Sequence, residues 1–89
     1  MTAKASFDFT GANDLVIGAS RAGIGAAIAR AFQNAGATVE ITGVEPECIE
    51  EDAARFDYTQ LDVTDTDEVY DFASTRDQIN VLVNCDAIT

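Results

Sequence analysis

The sequence contains no histidine and no tryptophan, one proline, two cysteines and only five Lys+Arg. Without histidine, a Ser-His-Asp triad, a Cys-His dyad and a histidine metal site are all excluded within the chain. Cys48 and Cys85 stand alone rather than in CxxC spacing, and no signal peptide is evident. They read as reduced thiols, which points to a cytoplasmic protein. No apolar run approaches the roughly 20 residues of a membrane helix. The few cations face 16 Asp+Glu, a net charge of -11 over 89 residues. A surface this acidic repels nucleic acid and anionic lipid, so neither is expected as a partner. The charge is uneven. Residues 1–43 balance Lys4, Arg21 and Arg30 against Asp8, Asp14 and Glu40, so residues 44–89 carry all of the excess. The 47% hydrophobic fraction suits a globular chain, and 89 residues allow one domain.

Along the chain, residues 1–13 read as a leader with a weak strand or turn around Phe7-Asp8-Phe9, punctuated by Gly11 and Asn13. Asp14 to Ala19 is a short apolar run bounded by glycine, the pattern of a strand buried on both faces. Residues 22–35 are alanine-rich, and Ile24, Ile28, Ala31 and Ala35 form one stripe extended by Phe32. Asn34 and Gly36 supply the helix stop. Ala37 to Thr42 alternates as a second strand. Pro46 and the acids Glu45, Glu47, Glu50 and Glu51 suit the start of a short helix reaching about Ala54. Phe56 to Val63 is a third strand. Thr64 with Asp67 resembles a capping box for a helix that buries Val69, Phe72 and Ala73. Ile79 to Asn84 is a fourth strand. This β-α-β-α-β-α-β alternation, with no internal repeat, predicts a parallel sheet with helices on both faces: an α/β chain forming half of a doubly wound, Rossmann-like sheet over residues 14–89.

The turn after the first strand reads Gly18-Ala-Ser-Arg-Ala-Gly23-Ile-Gly25. Glycines there allow a tight turn and close approach to a ligand, and the helix N-terminus offers free N–H groups to a pyrophosphate. A plain packing turn has the same composition, but the complete βαβ setting favours nucleotide binding. In this setting the chain resembles the short-chain dehydrogenase/reductase family. Gly18 to Gly25 looks like the family's Thr-Gly-x-x-x-Gly-x-Gly opening, Leu61-Asp62-Val63-Thr64-Asp65 like its adenine-contacting segment, and Val83-Asn84-Cys85-Asp86-Ala87-Ile88 like its Asn-Asn-Ala-Gly motif. The resemblance implies NAD or NADP as cofactor, with Gly18, Ser20, Arg21, Gly23, Ile24, Gly25, Asp62, Val63 and Asn84 as cofactor-binding positions. Arg21 suits the 2′-phosphate of NADP and tilts the choice that way, whereas Glu45 suits a ribose hydroxyl of NAD. The family's acid at the end of the second strand is replaced by Gly43.

Three departures stand out. Four residues rather than three separate Gly18 from Gly23, Ile17 replaces Thr, and Asp86 and Ala87 replace Ala and Gly. The resemblance also implies a catalytic Asn, Ser, Tyr and Lys, with Tyr and Lys four residues apart. Tyr58 and Tyr70 have no such lysine, and Lys4 is the sole lysine. The expectation is therefore a cofactor-binding portion, about one third of a family member, inactive alone. Two alternatives stay open: an enzyme completed in trans, or a structural half-domain that has lost nucleotide binding. The fourth strand would lie at a sheet edge and pair with a second copy or with a separate chain supplying the rest.

Overall fold

A computed structural model describes residues 8–20 and 23–85. Its elements are β1 (Asn13–Ile17), α1 (Ile24–Asn34), β2 (Thr38–Gly43), α2 (Glu50–Ala53), β3 (Asp57–Gln60), α3 (Thr66–Ser74) and β4 (Val81–Asn84). The four strands form one sheet in the order β3-β2-β1-β4, and every pairing is parallel. The chain thus steps outward from β1 through β2 to β3, then crosses over to the other side of β1. This is the Rossmann-like half-sheet that the alternation predicts. Among the described residues, no helix is long and apolar enough to cross a membrane.

Registry divides the side chains between two unequal faces. Val16 lies level with Ile41 and Val83, and Asp14 with Val39 and Val81. Because side chains alternate along a strand, these residues share a face. On that face α1 packs Ala29 onto Val16, Val39 and Ile41, and Cys48 and Phe56 complete the buried core. Phe9, ahead of β1, sets its ring edge-on to Phe32 with centroids 5.0 Å apart. Its N–H donates to Ala35 O at 2.8 Å. The exit of α1 is closed by two reciprocal bonds, Ala37 N–H to Phe32 O at 3.1 Å and Gly36 N–H to Gln33 O at 3.0 Å. That is a Schellman ending, and it requires the φ of 103° that Gly36 adopts.

The opposite face is thinner. Glu40 stands in the middle of β2 and is clamped by Arg76, whose Nε donates to Oε1 at 2.8 Å and whose Nη2 donates to Oε2. The same guanidinium lies 4.0 Å over the Phe72 ring, so one side chain bonds the strand and stacks on α3. The sequence pattern has α3 burying Val69, Phe72 and Ala73. In the structure α3 buries no residue: Val69 and Phe72 are half-buried and Ala73 is exposed. A charged clamp on Glu40, rather than an apolar stripe, joins this helix to the sheet.

The third strand is shorter than the sequence pattern, ending at Gln60 rather than Val63, and two helix starts differ because other contacts claim their residues. The second helix does not start at Pro46. Cys48 is buried in the core and Ile49 N–H donates to Ser20 O at 3.1 Å, which holds residues 44–49 across the glycine turn until Glu50. The cap of α3 is Asp65, whose carboxylate accepts from Glu68 N–H at 3.2 Å, not Thr64. Thr64 is engaged one step earlier, donating its N–H and hydroxyl to Asp62 at 2.9 and 2.6 Å.

Candidate functional site

The strand order reverses between β1 and β4, and in open parallel sheets ligands occupy the crevice beyond the strand ends at that point. Here a cleft of about 560 Å³ opens there. Gly18, Gly23, Ile24 and Gly25 form one wall, and Val83, Asn84 and Cys85 form the other. Five of the residues singled out from sequence (Gly18, Gly23, Ile24, Gly25 and Asn84) therefore meet around one space. Arg21, Asp86 and Ala87 lie outside the described residues.

The glycine turn is shaped by contacts to β2. Gly18 N–H and Ala19 N–H both donate to Thr42 O, at 3.0 and 2.8 Å. The start of α1 then comes so close that a Cβ on Gly25 would sit 2.8 Å from Gly18 O and 3.2 Å from Ala19 Cα. Among the described residues no side chain caps α1, and its first turn carries no acid. The positive end of an 11-residue helix is thus directed at the cleft mouth without a competing carboxylate on its own first turn. Ile24, at that end, is 77% exposed.

Ser20 lies deeper than a solvated loop serine. It is 5% exposed and its hydroxyl donates to Glu45 Oε2. Tyr58 donates its hydroxyl to Glu45 O at 2.6 Å, and Gln60 donates to Val44 O at 2.9 Å, so β3 pins the segment that carries Glu45. Gly43 makes this arrangement possible, because a Cβ there would fall 2.2 Å from Ser20 Oγ. The resemblance noted from the sequence places Gly43 where an acid is usual. It does not show that Ser20 fills the vacated space, since that requires knowing that the turn folds back over β2.

Asp62 and Val63 follow β3, at the far edge of the sheet, rather than lining the cleft. The Asp62 carboxylate closes a turn with Thr64, and the hydroxyl and backbone N–H of Thr64 hold it below the usual carboxylate range. The strand-end turn and any contact with a ligand thus draw on the same side chain. Cys48 sits away from the cleft, and burial, with the charges of Asp52 and Glu47, pushes its thiol upward. That is the opposite of an activated nucleophile.

A family model described as enoyl-(acyl carrier protein) reductase matches residues 18–89. Among solved structures, the chain is similar to one described as a short chain dehydrogenase/reductase family protein, at 34% sequence identity and a TM-score of 0.82. That match covers 92% of this chain and 36% of the other, so the chain spans little more than a third of the length of the protein it resembles. No curated protein matches the sequence.

Proposed function

Since the chain belongs to the short-chain dehydrogenase/reductase family, we propose that it is the NAD(P)-binding portion of an oxidoreductase acting on a carbonyl or alcohol, and that alone it binds cofactor without turnover. The observation carrying this reading is the cleft at the strand reversal, where the uncapped, acid-free N-terminus of α1 meets the glycine turn. These residues fit a pyrophosphate: close backbone approach at Gly18 and Gly25, and N–H groups with the positive helix end facing the charge. Asn84 bounds the cleft opposite them, and Asp62 and Val63 take the adenine side. Bound nicotinamide would supply hydride chemistry. The chain's own part is to seat and orient the dinucleotide, because it has no Tyr–Lys pair to move the accompanying proton.

The choice between NAD and NADP turns on Arg21 and Glu45. In this reading Arg21 favours a 2′-phosphate and the carboxylate held by Ser20 opposes one. Glu45→Gln then shifts preference toward NADPH, and Arg21→Ala shifts it toward NADH. The cellular setting is proposed to be the cytoplasm, given the two free thiols.

Titration with NADH and NADPH by fluorescence or calorimetry tests the reading. Saturable binding is expected, and its absence at millimolar cofactor overturns it. Ile24→Asp sharpens the test. An exposed acid in a helix's first turn leaves the fold intact or adds about 0.3–1 kcal/mol. It also places a negative charge where the pyrophosphate sits, so binding is expected to fall at least tenfold with an unchanged unfolding midpoint. Equal binding by Ile24→Asp and the parent chain would move the site elsewhere.

A further inference from the structure

The second residue of β1, the inner strand between β2 and β4, is an aspartate. Asp14 lies level with Val39 on one side and Val81 on the other, on the face that continues through Val16 into the core. It is 3% exposed, and neither carboxylate oxygen has a hydrogen-bond partner among the described residues.

Among the described residues, no cation is placed to pair with it. The single charge on α1, Arg30, is bound to Asp52 at 3.3 Å. The single charge on β2, Glu40, is level with Leu15, so it projects from the opposite face, where it holds Arg76. β4 carries no charge. Of the charged residues that precede β1 and β4, Asp8 and Asp77 are acids that would add to the burden, Arg76 is held by Glu40, and Lys4 lies outside the described residues. Ionised, Asp14 would be a desolvated and unpaired charge; protonated, it is a small polar group with far less to lose.

We propose that Asp14 is a proton-operated latch on the inner strand: the folded chain holds it as the neutral acid, and its ionisation loosens the pairing of β1. Between the ordinary carboxylate value and the raised one, folding therefore takes up a proton from solvent onto the Asp14 carboxylate. Burial acts in the same direction, raising this carboxyl above its ordinary 3.8. Because the folded form binds the proton more tightly than the unfolded chain, stability is full below the ordinary value and is lost as pH rises toward the raised one.

The test is urea unfolding of the parent chain and Asp14→Asn at a series of pH values from about 4 to about 7. The general repulsion of an acidic chain is common to both, so the difference between them isolates Asp14. The folding constant of the parent is expected to fall relative to Asp14→Asn by up to about tenfold per pH unit within the window where one proton is linked. Parallel profiles for the two chains would overturn the proposal. Carboxyl carbon shifts of Asp14 in the folded parent chain give a second reading that needs no variant. A titration midpoint above the ordinary range supports the latch, and one at or below 3.8 overturns it. Neither measurement involves cofactor, so the latch and the binding reading succeed or fail separately.

Discussion

A methyl group is too large for two positions beside the cleft. At Gly43 it would meet Ser20 Oγ and Cβ at 2.2 and 2.3 Å, and at Gly25 it would meet backbone, the carbonyl oxygen of Gly18 at 2.8 Å. The two differ in what can yield. Ser20 is a short side chain on a turn, so Gly43→Ala is expected to expel its hydroxyl from Glu45 and cost about 1–3 kcal/mol through strain. The urea midpoint measures that cost. Replacing Ser20 by Gly in the same chain should restore most of it, because the clash is with the Ser20 side chain. In Gly25→Ala the obstacle is main chain, and no second substitution removes it.

At the scale of elements, α1 and α3 are attached in different ways. Burial of its small residues holds α1, with Gly25, Ala26 and Ala29 against the sheet. By contrast, α3 buries no residue and depends on Arg76. Arg76→Ala is accordingly expected to destabilise the fold by about 1–3 kcal/mol, leaving Glu40 half-buried without its cationic partner and with Thr59 as its remaining donor. Amide exchange should show the loss concentrated in α3. Burial alone would raise the Glu40 carboxyl, but hydrogen bonds from Arg76 and Thr59 and the Arg76 charge outweigh it, and the group sits below its ordinary 4.5. The clamp's contribution is therefore complete above that value and lost as pH falls below it, and Arg76→Ala should abolish this acid-side dependence. The order of elements was legible in the sequence because apolar β-branched runs alternate with alanine-rich or acid-rich stretches. What was not legible came from long-range contacts. Pro46 has the local chemistry of a helix start, but Ser20 and the core claim the segment first. Val69, Phe72 and Ala73 have helical spacing, but an ion pair decides how the helix sits. In the site, the glycine turn and Asn84 were legible as motifs, whereas the fit of Ser20 against Gly43 depended on the fold.

For the molecule as a whole, charge and apolar exposure are separated. The balanced half supplies the glycine turn and α1, and the acidic half supplies α2, β3 and α3. An anion can therefore approach the turn despite the net charge of -11. β4 lies at the sheet edge with Leu82 61% exposed, and Ile79 is also exposed just ahead of it. An apolar edge strand is a template for pairing. The chain is expected to associate as its concentration rises, and Leu82→Lys should shift it toward monomer in sedimentation velocity without altering its secondary structure. If Leu82→Lys sediments as the parent chain does, association runs through another surface.

The parallel order also dictates a timetable. β1 pairs with β2 across one short helix, but its other side waits for β4, and Asn13 and Asn80 meet across 67 residues of sequence. As the chain leaves the ribosome, three strands can assemble while half of the innermost strand still lacks its neighbour. Pairing across so long a separation is slow because loop closure comes before any contact rewards it. β4 is thus the last of these four strands able to join, and until it does, the crevice between the glycine turn and Asn84 has only one wall.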